Sequence, residues 1–170
     1  MNHRFGEYLY VIGMPEPLRK RVSDICAFYE TLLSERLPGG IEDLFVSEYV
    51  KEDGTREYES VWMFAGSYRM EAHGFTLKDN FDVAFCPAGT SYMRIEKESY
   101  DFSEAQAQSR MSVEVTFASP VHALQGRLRA SGANCDYLRL VLAKHLVPGA
   151  HRLQGLEGEG ASNSHARPGA

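Results

Sequence analysis

Arg69, Glu71 and His73 are the most suggestive polar group in the chain, because their spacing would place a cation, a carboxylate and an imidazole in one row. On a strand, residues two apart share a face at intervals of about 7 Å. Such a row could bind an anion or support general acid–base work. A solvated strand face with alternating charges has the same pattern, and that plainer reading is the expectation here.

Asp82 and Cys86 share a parity on the following strand, and a cysteine nucleophile there would need His73 as its base. A Cys beside Pro87 at a strand end fits a small buried hydrophobe better. His122 and His145 stand apart from other ligand types, and no H-x-x-x-H or carboxylate–histidine spacing points to a metal. Gly39-Gly40 follows a helix and lacks the Lys-Ser or Lys-Thr of a phosphate loop. No catalytic residue, metal or cofactor is therefore assigned, and the chain reads more readily as a non-enzyme.

Aromatic residues supply a different chemistry. Between Tyr49 and Phe102 there are 11 of them, enough to fill a small bent sheet. By parity or loop position, Tyr49, Tyr100 and Phe102 are the ones expected at the surface, where aromatics beside acidic residues mark protein contacts. Together with Arg69, Glu71 and His73 they form the candidate binding set.

The elements that must position these residues follow from the hydrophobic period. The chain has 170 residues and 44% hydrophobic content, which suits one domain. Residues 1–14 read as an N-terminal segment outside it. Leu18, Val22, Ile25, Phe28 or Tyr29 and Leu32 recur at helical spacing, giving a helix over 15–37 that Pro38 ends. Residues 41–130 then alternate with a period of two and divide into seven strands joined mostly by short turns, as in an antiparallel meander. The second strand, 56–64, is expected to have one core face and one wet face. Asp101 or Ser103 could cap a short helix in the connection before the sixth strand. Cys135, Leu138, Val141, Leu142, His145 and Leu146 predict a second amphipathic helix over 134–146. Residues 148–170 have too little apolar surface to offset the entropy of ordering and read as a disordered tail.

The resulting class is α+β, mainly β: a strongly bent seven-strand antiparallel sheet or partly open barrel with an N-terminal helix and a C-terminal capping helix. From Ile41 to Val147 this order resembles the pleckstrin-homology-like barrel, which is seven strands followed by one helix. Lipid-binding members of that superfold place basic residues on the first two strands and their loop. Here Lys51 and Arg56 stand beside Glu52, Asp53, Glu57 and Glu59, so the resemblance does not extend to lipid headgroups. The tryptophan usual in the superfold's closing helix is also missing, and Trp62 falls in the second strand.

Charge and cysteine usage narrow the partners. A formal net charge of −5 counts against a phosphate backbone, and Arg19, Lys20 and Arg21 on a helix point in three directions. Cys26, Cys86 and Cys135 have no framework spacing, which suggests a reducing compartment. Without a signal-peptide core or an apolar run long enough to span a bilayer, a soluble cytoplasmic protein is expected. The leading expectation is a non-enzymatic interaction module for a protein or peptide, one that could also neutralise a basic partner. An unpaired sheet edge would also permit a homodimer. The alternative is a small-molecule barrel or enzyme with its pocket near His73 and Glu71.

Overall fold

The computed structural model describes residues 3–33, 39–77, 82–87, 90–100, 108–117 and 124–147. Two helices come first, α1 (His3–Val11) and α2 (Glu16–Leu33), followed by seven strands. These are β1 (Asp43–Val50), β2 (Arg56–Ala65), β3 (Tyr68–His73), β4 (Asp82–Pro87), β5 (Thr90–Tyr100), β6 (Gln108–Phe117) and β7 (Leu124–Ser131). Helix α3 (Asn134–Val141) closes the fold and widens into a π-helical turn, Leu142–Leu146. The short helix expected after Asp101 or Ser103, and the tail beyond Val147, lie outside the described residues.

The fold is α+β, as expected, but the strands form two antiparallel sheets instead of one. Their orders are β1-β2-β3-β4 and β5-β6-β7, and among the described residues no closed barrel forms. Pro87 ends β4 without an N–H to give to a ladder, which suits a break at that point. On the far side the two sheets do meet. The β7 amide of Arg129 donates to Ser47 Oγ of β1 over 2.9 Å, and Ser47 Oγ lies 3.2 Å from Glu59 Oε2.

Helix α1 departs most from expectation. Phe5, Tyr8, Leu9 and Ile12 are spaced i, i+3, i+4, i+7, and all four are buried against α2 and one face of β1–β3. From the sheet, Leu44, Val46, Val61, Met63, Met70 and Ala72 meet them. On the opposite face, Phe45, Trp62 and Phe64 pack with Val113, Val115, Leu128 and the apolar stripe of α3. The sheet is thus a middle layer. This corrects the reading of β2 as wet on one side, since residues Ser60–Ala65 are buried whichever way they point.

Being covered on both faces does not protect the free edge of β1, whose peptide groups need other partners. At Val46 the N–H donates to the Tyr8 hydroxyl over 2.9 Å, and the carbonyl accepts from Asn134 Nδ2 over 2.9 Å. The Tyr8 hydroxyl in turn donates to Asn134 Oδ1 over 2.8 Å. Burial holds the Tyr8 phenol neutral, so it can serve as donor and acceptor at once.

Candidate functional site

Strand β3 does bring Arg69, Glu71 and His73 together. Arg69 and Glu71 are ion-paired, and His73 Nε2 lies 3.0 Å from Glu71 Oε2. The expected solvated face is corrected, because Arg69 is only 2% exposed and Glu71 only 9%. Trp62 and Phe64 stand opposite Glu71 and Arg69 in the β2–β3 ladder and so share their face, which the rest of the fold covers. The Arg69 guanidinium sits 5.5 Å from the Trp62 ring centroid, a cation–π contact in a desolvated setting. His73 alone reaches solvent.

In the β3–β4 ladder Cys86 pairs with Arg69, while Asp82 pairs with His73. Four residues of strand therefore separate His73 from the register position of Cys86, roughly 13 Å. The register gives no support to a Cys86–His73 couple. Cys26 and Cys135 are buried.

Tyr49 belongs to a different region. It is half-buried at the end of β1, with Arg129 stacked 4.9 Å above its ring and its hydroxyl 2.5 Å from Glu57 Oε2. Tyr49 lines a cavity of about 220 Å³ between the sheets, together with Glu48, Glu96, Arg110, Arg127 and Arg129. A wider groove on its other side includes Arg56, Tyr58 and Glu59. Neither space is lined by Arg69, Glu71 or His73, so the structure does not join Tyr49 to the β3 row. Tyr100 ends β5 opposite Gln108, and Phe102 lies outside the described residues.

Two ionisable groups were missed by the sequence reading. Glu48 stands just past a bulge at which Glu59 of β2 has no partner in β1, and it is fully buried. Burial pushes its carboxyl up to about 7, against the lowering effects of Arg56, whose Nη1 is 3.4 Å away, and of the nearby Asn134 and Ser131 donors. Neither Glu48 oxygen makes a hydrogen bond of ordinary geometry. The second group is Asp43, which joins three distant elements. Its Oδ2 lies 2.7 Å from His145 Nε2 and 2.6 Å from Lys144 Nζ, and its Oδ1 is 2.8 Å from Arg4. Partial burial acts to raise Asp43, but the hydrogen bonds and charges of His145 and Lys144 outweigh it and hold the carboxyl at about 2.

Glu42, Asp43 and His145 lie close enough together to suggest a cation site. Lys144 and Arg4 already supply the positive charge there, which makes the cluster a clasp between α1, β1 and the π-helical turn. The face of His145 stacks on Phe64 at 4.6 Å, fixing the ring. A separation of 102 residues left no local spacing by which the Asp43–His145 contact could be read.

No protein-family model, curated protein or solved structure matches the chain. Among the described residues no helix is long and apolar enough to cross a membrane.

Proposed function

We propose that this chain is a non-enzymatic binding module that takes up an extended segment of a partner protein along the free edge of β5. The observation that carries this reading is Ile95. In the ladders Ile95 pairs with Val113, and Val113 pairs with Leu128, so the three side chains share one face. Val113 and Leu128 are fully buried, whereas Ile95 is 52% exposed. An inward-facing isoleucine is left uncovered where the sheet ends.

A strand added beside β5 would satisfy its outward peptide groups and cover Ile95 with an apolar side chain, the usual division between affinity and specificity in edge pairing. The ion pairs that already engage Arg69, Glu71, His73 and Asp43 also favour a binding role over an enzymatic one. A basic partner would be drawn to the net charge of −5. The meeting of β1 with β7 supports the finer description of the sheets as a partly open barrel in pleckstrin-homology-like order, with β5 at its opening. A cytoplasmic setting suits three cysteines without framework spacing.

The test is site-specific photo-crosslinking in the native host, with the reactive side chain at position 95 or at position 140, an exposed position on α3. A partner peptide joined to position 95 and absent from position 140 is expected, and the Tyr100→Ala/Phe102→Ala double variant should weaken its capture. A second copy of the chain crosslinked at position 95 would replace the partner with a homodimer. A partner joined only at position 140 would overturn the reading.

A further inference from the structure

The β5–β7 sheet has a second face that the edge-binding reading does not use. In the β6–β7 ladder Arg127 pairs with Glu114 and Arg129 with Ser112, on the rungs either side of the Val113–Leu128 pair, so these side chains point away from the face that Ile95 shares. A cavity of about 220 Å³ opens beside them where the end of β1 meets β7, and Arg110, Arg127 and Arg129 all line it. Arg127 is two residues from Arg129, and Arg110 stands diagonally across the ladder from it, spacings of about 7–8 Å. Three cations therefore converge on one small volume in a chain whose net charge is −5.

The two carboxylates among the described lining residues do not cancel them. Both Glu48 oxygens are shielded from the cavity beside Arg56, which is 3.4 Å away, and Glu96 is paired with Arg94 at 2.6 Å. The arginines themselves are tethered without being saturated. Arg129 holds Glu59 through Nη2 at 2.7 Å and sits 4.9 Å from the Tyr49 ring centroid. Arg127 reaches Ser112 Oγ through Nε at 3.3 Å, and its Nη2 lies 3.6 Å from Glu114, beyond hydrogen-bond length. Among the described residues, no hydrogen bond or ion pair engages Nη1 of Arg127, which is half exposed, or Nη1 of Arg129, which is one-third exposed.

We infer that this cavity binds a small phosphorylated molecule through its phosphate group, held between Arg127 and Arg129 with Arg110 adding charge. Guanidinium groups offer planar N–H donors matched to phosphate oxygens, and the two Nη1 atoms have theirs to give. Ser112 Oγ accepts from Arg127 and keeps its own hydrogen to donate. A phosphate monoester carries nearly two negative charges at neutral pH, which suits three arginines better than the single charge of a carboxylate. Glu59 and the Tyr49 ring fix Arg129 before any ligand arrives, so binding has few side chains left to order. The volume lies below the roughly 300–1,000 Å³ of drug-sized sites, which selects a small molecule. A nucleic-acid strand needs cations along a track, whereas these three surround one point.

Calorimetric titration of the full chain at low ionic strength with glycerol 3-phosphate, inorganic phosphate and glycerol tests this. Glycerol 3-phosphate should bind with a dissociation constant under about 1 mM, and glycerol should not bind. Inorganic phosphate binding as tightly as the ester would support the site and make the free ion its ligand, whereas weaker binding assigns it to the ester. Arg127→Gln, at a half-exposed position, should weaken the ester at least about tenfold. Lys20→Gln removes an equal charge on α2, outside the cavity, and should change the affinity by less than about twofold. Glu114→Gln, which removes the carboxylate beside Arg127, should tighten binding and so tests the site by a gain. Absence of saturable binding of either phosphate below about 10 mM, or equal losses in Arg127→Gln and Lys20→Gln, would overturn the proposal. Neither result bears on crosslinking at position 95, which lies on the opposite face of the sheet.

Discussion

The β1–β7 side of the molecule and the outer edges of β4 and β5 pose the same problem, a strand with peptide groups on its open side, and meet it differently. Along β1 the edge is closed by side chains drawn from three elements: Tyr8 of α1, Asn134 of α3 and Ser47, which accepts the Arg129 amide. Along the outer edge of β5 no strand pairs among the described residues, and an inward-facing Ile95 is half exposed. The difference shows where the described side chains close a strand edge and where they leave an inward-facing side chain half exposed. Closing an edge with side chains also has a cost, since it buries ionisable groups that then respond to pH.

The largest expected effect comes from Glu48, beside that closed edge. Its carboxyl rises from 4.5 to about 7 on folding, so between these values the folded state holds a proton that the unfolded state has released. Stability should be full below about pH 4.5, fall as pH rises, and be lower by about 3 kcal/mol above pH 7. Urea unfolding at pH 5 and pH 8 measures this fall. The difference should largely vanish in Glu48→Gln, and an unchanged difference would place its source elsewhere.

Asp43 at the opposite end of β1 has the reverse sign. Its carboxyl is held at about 2 against 3.8, so its contribution is present above about pH 4 and is lost as pH falls toward 2. Converted directly, that is about 2 kcal/mol. Asp43→Asn should remove this part of the acid-induced loss while leaving the fall above pH 4.5 intact. Between the two lies the peptide clasp at Val46. Tyr8→Phe leaves the Val46 N–H without its acceptor and Asn134 Oδ1 without its donor, at an expected cost of about 1.5 kcal/mol. Hydrogen exchange at Val46 should accelerate in this variant, and unaltered protection would show that water replaces the hydroxyl.

Most of the elements were legible because their hydrophobic period is local. The stripe from Cys135 to Leu146 predicted the closing helix, though not the π-helical turn that ends it, and all its members are buried. Strand β2, at Arg56–Ala65, ends one residue past the expected 56–64. The period in α1 was equally local, yet Phe5, Tyr8, Leu9 and Ile12 were read as part of an N-terminal segment outside the domain. With α1 and α2 on one face of the sheet and β6, β7 and α3 on the other, alternation no longer separates inside from outside, which is why Arg69 and Glu71 were misjudged. The Tyr8–Asn134 bond spans 126 residues and the Asp43–His145 contact 102, and a single sequence carries no signal for such pairs.

The smallest effect on stability should come from the open edge, and it separates the two regions most directly. Val113 and Ile95 are ladder partners on one face, so truncating either removes apolar surface from the same core, but only Val113 is fully buried. Val113→Ala should cost about 2 kcal/mol through lost burial and the cavity left behind. Ile95→Ala removes more atoms, yet half of its side chain already meets water, so the isolated chain should lose under about 1 kcal/mol. Binding should reverse the ranking. A partner strand that covers Ile95 would make Ile95→Ala the more damaging change in a competition assay against the crosslinked segment, whereas Val113→Ala would leave affinity nearly unchanged in the folded fraction. If both substitutions cost the free chain the same, the edge is already covered by the protein itself, and β5 is closed as fully as β1.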